Sequence, residues 1–241
     1  MVLTLVPIGD TTRMDKAPRI TIVAGPVATA DSPAIDTALA LASGRASITL
    51  VARLLDTDES RAQLERLSAA GIDVEHVDRS SPDEFDAPMA LPIDAMFSAD
   101  CCLVDLADPD RFRFLVDLPV HTWPAARLAG RLERLSTFPE QTSREILERI
   151  DSIAGRIEDA FSLTGSSDPD SIIPALQNLM QNGNLRLALI SDGSSVHAIS
   201  RSEVISAVLD RPPLPATLLS SVVYATACRL DPITAIEAVM S

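Results

Sequence analysis

Acidic side chains cluster at two places, the first able to hold a metal and the second placed for ligand contacts. Asp56, Asp58 and Glu59 crowd one turn, and Asp105, Asp108 and Asp110 follow a short apolar run. In α/β chains the segment after a strand is where ligands are met. Each cluster also has a plainer reading. The first suits the N-terminus of a helix, where the dipole favours carboxylates. The second suits a solvated turn rich in Asp and Pro. His76, His121 and His197 have neither metal-ligand nor triad spacing and read as surface or satisfied residues. Cys101, Cys102 and Cys228 also lack metal spacing. If 101–106 is a strand, the two adjacent thiols point to opposite faces and read as small buried core residues.

Phosphate-binding loops are missing. The chain contains no G-x-x-x-x-G-K-[ST], no G-x-G-x-x-G and no G-x-S-x-G. It has nine glycines against 17 prolines in 241 residues, whereas average usage is about 7% Gly and about 5% Pro. Glycine is the residue that lets backbone amides close on an anion. The composition is therefore awkward for a glycine-loop nucleotide enzyme.

Twenty Lys and Arg against 34 Asp and Glu give a net charge of −14. Nucleic acid and anionic membrane surfaces both need clustered cations, so both are poor partners for such a chain. No apolar run reaches the roughly 18 residues of a membrane span, and residues 1–13 do not read as a signal peptide. With an odd number of cysteines, the expected compartment is the reducing cytoplasm.

Elements able to position such residues alternate along the chain. Arg19–Ala24, Ser47–Ala52, Ile72–Val77, Cys101–Leu106, Leu185–Ser191 and Val196–Ser200 read as strands. Pro33–Ala42, Asp58–Ala70, Ser143–Arg156, Asp170–Gln181, Ala216–Arg229 and Pro232–Val239 read as helices. The Ser143–Arg156 assignment rests on the stripe Ile146, Leu147, Ile150 and Ile153. Ser80–Asp94, acidic and Pro-rich, reads as a loop or edge element. Alternating strands and helices imply one α/β domain over 1–241, with a mostly parallel sheet between helices.

Eight segments, none specific alone, follow in order the pattern of the ribokinase-like, or PfkB, carbohydrate kinases. Ile8–Asp15 resembles that family's opening strand, glycine and sugar-holding aspartate. Pro33–Gly44 resembles its "NvAvalArLG" helix, Ile48–Gln63 its "vaLvgrvGdDefGr" segment, and Leu67–Val77 its "L...GVdt..v". Gly155–Gly165 resembles "N..Ea..LtG", and Leu187–Gly193 resembles "vvvTlG". Val208–Ala216 resembles "vvDttGAGD", and Ala227–Ala238 resembles "arGld..eAl". The resemblance spans most of residues 5–240 and implies a three-layer α/β/α fold with a reduced lid, its elements within 16–30 and 78–98. It also implies a short C-terminus, because the matches end before the family's last helices.

By that resemblance, Asp15 and Asp31 fall at substrate positions. Asp159, Ser191 and Gly193 fall at nucleotide positions, and Glu158 and Asp159 at the metal position. The family's G-A-G-D tetrad, which supplies an anion hole and a base, falls on Pro213, Leu214, Pro215 and Ala216. Two prolines remove two N–H donors, and alanine is no base. The sugar-cradling glycines fall near Ala30 and Asp31, the helix asparagine on Ile35, and the asparagine of N-x-x-E on Arg156. The expectation is a degenerate member without phosphotransfer, acting as a binding or regulatory module for a sugar or nucleotide, with a homodimer allowed by analogy. The alternative is an active Mg-ATP-dependent kinase with a relocated base, Asp210 foremost.

Overall fold

The computed structural model describes residues 16–27, 32–44, 46–87, 89–122, 127–166 and 168–240. Asp15, Asp31 and Ala30, together with the opening segment Ile8–Asp15, lie outside these residues. Nine strands form one sheet: β1 (Arg19–Val27), β2 (Ser47–Leu55), β3 (Asp73–Ser80), β4 (Cys101–Val104), β5 (Arg127–Arg131), β6 (Ser152–Arg156), β7 (Leu187–Asp192), β8 (Ser195–Ile199) and β9 (Val204–Val208). Their order is β3-β2-β1-β4-β5-β6-β7-β8-β9. Every pairing from β3 across to β7 is parallel, and β8 and β9 add antiparallel at one edge.

Ten α-helices surround this sheet among the described residues: α1 (Pro33–Ser43), α2 (Asp58–Ala69), α3 (Ile93–Ser98), α4 (Pro109–Thr122), α5 (Leu132–Ser136), α6 (Glu140–Leu147), α7 (Ile157–Thr164), α8 (Pro169–Asn182), α9 (Pro215–Cys228) and α10 (Pro232–Met240). Side-chain alternation along the strands builds a core on each face. Ile20, Ile22, Leu50, Cys101 and Leu103 pack with α1, α9 and α10 on one side. Val23, Val51, Cys102 and Val104 pack with α4 to α8 on the other. Each such aliphatic side chain, fully buried, contributes about 1.5–3 kcal/mol of transfer free energy. Cys101 and Cys102 therefore sit back to back across the sheet, as their alternation requires. Burial raises both thiols, Cys102 to about 12.

Two sequence readings are corrected. The stripe read as one helix over Ser143–Arg156 is two elements: α6 ends at Leu147, and Ser152–Arg156 is β6. Ile146 and Ile153 are both fully buried, one on a helix and one on a strand, so apolar spacing alone could not separate them. Gly155 lets β6 pack closely on α5. A Cβ there would come within 2.5 Å of the Leu132 Cβ, so β6 and α5 meet at glycine contact. The second correction concerns Asp105, which is 4% exposed and not a solvated turn acid.

Residues 78–98, where lid elements were expected, carry the end of β3, a single 3-10 turn at Pro82–Glu84, and α3. The Arg53 guanidinium on β2 donates to the Glu84 and Ala87 carbonyls at 3.1 and 2.6 Å, tying this segment to the sheet. Residues 19–27, within the other expected stretch, form β1 of the main sheet.

Candidate functional site

The strand order reverses between β1 and β4, since β2 and β3 wind to one side and β4 to β9 to the other. In open α/β sheets, ligands bind outside the C-terminal ends of the strands at such a switch point. Asp105 follows β4 there. Its Oδ1 accepts from Arg131 Nε at 3.1 Å and Arg134 Nε at 3.3 Å, and Arg131 also pairs with Glu133 at 3.0 Å. Arg131 is itself 7% exposed. Burial raises the Asp105 carboxyl above its ordinary value, and the two guanidiniums pull it back. The buried charge at the switch point is thus already neutralised within the protein.

The neighbouring strand ends bring the nucleotide-position residues together. β6 and β7 pair so that Arg156 stands beside Ser191. Asp159, three residues into the turn that opens α7, accepts the Arg156 backbone N–H at 3.2 Å, and its carboxylate lies 3.6 Å from Arg156 Nε. Asp159 therefore caps its own helix. Glu158 beside it is exposed. Successive helical side chains diverge by about 100°, so the two acids do not converge on one point. No group of three or more His, Cys, Asp or Glu able to hold a metal occurs among the described residues.

Ser191 is buried near the end of β7, and Gly193 opens the tight turn into β8 at φ +56°. A Cβ on Gly193 would meet nothing within 4 Å. The turn thus needs glycine for its left-handed backbone and not for space.

Helix α9 runs back across the sheet to this same rim. Near its C-terminal end, the Thr226 hydroxyl donates to Ser152 Oγ at 2.7 Å, at the start of β6. From Thr226 back to Ala216 is about 15 Å of helix, and from Ser152 to Arg156 about 13 Å of strand. The α9 N-terminus therefore stands at the level of Arg156 and Ser191. Ala216 is the second residue of α9, Leu214 is the N-cap without a side-chain cap bond, and Pro215 is the first helical residue. Pro215 has no N–H to offer. The Thr217 N–H is turned back to the Leu214 carbonyl at 3.0 Å. Within this first turn, only the Ala216 N–H lacks a backbone acceptor among the described residues. Asp210 is exposed on the bend between β9 and α9. Ile35 is fully buried in α1.

Several of the remaining acids, and His197, have structural partners. Thr57 caps α2, and Asp56 pairs with Arg61 and Arg79 at 3.2 and 3.3 Å. Asp58 pairs with Arg61 at 2.9 Å. Asp108 accepts the Asp110 N–H at 3.0 Å, opening α4. His197 meets Ser206 at 2.7 Å across β8 and β9. The Asp105–Arg131–Arg134 cluster was not legible as a unit, because Asp105 lies 26 and 29 residues from the two arginines. The signal that could have found it is an Arg at the end of a buried strand.

No family model and no curated protein matches the sequence. Solved structures do match the fold. The ribokinase of Arabidopsis thaliana, complexed with ribose and ATP, superposes at TM-score 0.70 with 12% identity, over 92% of this chain and 90% of that one. Ribokinase from Thermotoga maritima gives 0.66 at 10% identity, over 92% and 89%. A PfkB protein from Polaromonas sp. JS666 gives 0.64 at 14% identity, over 93% of each chain. The mostly parallel sheet between helices matches the ribokinase-like α/β fold of these structures, and that is the fold of this chain.

Proposed function

We propose that this protein uses the ribokinase-like fold as a small-molecule binding or regulatory module of the cytoplasm and does not transfer phosphate. The observation that carries this reading is Ala216 in the first turn of α9, where the resembled kinases place their base. An anion hole at a helix N-terminus works through free amides aimed at the developing charge. Pro215 supplies none, and the Thr217 amide is spent on Leu214. Missing donors of this kind cost about 10²–10³-fold each, and a missing general base about 10²–10⁴-fold.

Mg-ATP also fits the described residues poorly. Asp159 is taken up by its own helix cap, Glu158 faces outward, and Arg156 stands where the resembled motif has its metal-ordering asparagine. The ligand best supported is a sugar- or nucleotide-like small molecule at the switch-point rim, since the matched Arabidopsis structure is a complex with ribose and ATP. Asp15 and Asp31 would be its hydroxyl partners, and Ser191 and Gly193 would face its other end.

Phosphotransfer measured with Mg-ATP over a panel of sugars and nucleosides tests the reading. Turnover is expected below about 0.1 s⁻¹, under the ordinary enzyme range. Turnover above that level, abolished by Asp210→Asn, would overturn the proposal in favour of a relocated base. Calorimetry with sugars, ATP and ADP separately reports binding, which the module reading requires for at least one of them.

A further inference from the structure

The opposite rim of the sheet, at the N-terminal ends of the parallel strands, holds a cavity of about 230 Å³. Its polar lining is Arg127, Asp151, Arg186, Ser200, Thr226 and Arg229. Three guanidiniums face one carboxylate, in a chain whose net charge is −14. That carboxylate is overcommitted. Asp151 Oδ1 stands 3.9 Å from Arg127 Nη1 and 3.7 Å from Arg186 Nε, both longer than hydrogen bonds. Its Oδ2 accepts the Leu128 backbone N–H at 3.0 Å.

Arg229 has no ion-pair partner among the described residues. It is also the one non-glycine described residue with positive φ, at φ 57° and ψ 39°, where it ends α9. Such backbone is uncommon for a long side chain and clusters at ligand sites. Arg127's charged form is disfavoured first by burial; the Asp151 carboxylate opposes this, and Arg186 and Arg229 add smaller repulsions. Mutual repulsion among three cations in a concave site is relieved by an anion that accepts from all of them.

We propose that this cavity is a binding site for a small phosphate-bearing anion, free phosphate or a phosphate monoester, held by Arg127, Arg186 and Arg229. The planar guanidinium fork matches phosphate oxygens in pairs. The volume is below the roughly 300–1,000 Å³ of drug-sized ligand pockets, so the group attached to the phosphate is small. Thr226 and Ser200 line the same cavity and add neutral polar contacts. The site is a sheet's length from Ala216 and stands independently of the reading of that rim.

Calorimetry on the full chain, with inorganic phosphate, glycerol 3-phosphate and succinate as separate titrants, tests it. Saturable binding of phosphate or glycerol 3-phosphate is expected below about 10 mM. Arg229→Gly keeps the left-handed backbone at ease and removes the cation, so it is expected to fold and to lose affinity at least about tenfold. Arg186→Gln, whose residue is largely exposed, is the second variant with the same expectation. Arg66→Gln, on distant α2, is expected to bind as the parent does. The proposal is overturned by absence of saturation for both phosphates, by unchanged affinity in Arg229→Gly and Arg186→Gln, or by an equal loss in Arg66→Gln. Succinate binding tighter than either phosphate would also overturn it.

Discussion

The two rims of the sheet handle charge in opposite ways. At the C-terminal rim, where open α/β sheets bind ligands, charge is closed on itself: Asp105 holds Arg131 and Arg134, Asp159 holds Arg156, and Pro215 silences an amide. At the N-terminal rim, Asp151 must serve two arginines at loose distances, and Arg229 serves none of the described carboxylates. A fold's familiar site can thus be internally satisfied while an unfamiliar one carries the uncompensated charge. Which rim binds follows from the surplus and not from the position.

The sharpest way to break this contrast is at Asp105. Asp105→Asn leaves the buried Arg131 with only Glu133, a half-exposed carboxylate, to balance it, and the loss should be at most about 3–5 kcal/mol in urea denaturation. Asp151→Asn should cost clearly less, because its partners are already partly solvated. Near-equal losses would mean that both rims are closed alike. Binding comes next: the roughly tenfold loss expected for Arg229→Gly and Arg186→Gln should have no counterpart in Glu158→Gln, which belongs to the other rim.

A smaller effect is read in pH. Burial raises the Asp151 carboxyl, with the Leu128 N–H, Arg127 and Arg186 opposing. A raised acid contributes stability that is fully present below its unfolded value, about 4, and lost as pH rises through its native value. Relative to Asp151→Asn, the parent protein should therefore be at its best near pH 4 and lose ground above it. Denaturation midpoints of both proteins across that range would show a flat difference if the carboxyl were unshifted. The smallest effect is on backbone: Arg229→Gly should gain about 0.5–1 kcal/mol by relieving the left-handed cap, while the same change at Arg156, an extended residue, should gain nothing.

Much of the layout was legible in the sequence because alternation speaks plainly. Arg19–Ala24 and Ser47–Ala52 read as strands and lie within strands, the Cys101–Leu106 reading holds as far as Val104, and Cys101 and Cys102 divide between faces as period two demands. The α6–β6 junction was not legible, since Ile150 and Ile153 are buried whichever element holds them. Helix α4 and the strands β5 and β9 were not read at all: β5 has only five residues, and Val204–Val208 exposes alternate side chains at an edge. At the C-terminal rim, Ala216 and Ser191 were placed by the ordered segments. Asp105 was misjudged, because a turn acid and a buried ion-pair acid look alike until Arg131 is brought across. The N-terminal rim was invisible for a similar reason. Arg127, Arg186 and Arg229 are tens of residues apart, and the pairing of β5 to β7 together with the return of α9 gathers them.

The strand order also dictates how the chain is built. β1, β2 and β3 are synthesised first and make one end of the sheet, so β1 waits with an open side until β4 inserts beside it. From β4 onward each strand docks on the one made before it, to the last. A protein assembled in this order always presents one growing edge, a template for stray strands while translation continues. The antiparallel hairpins β7–β8–β9 close that growth quickly, since turns of two and four residues form far faster than the crossovers that precede them.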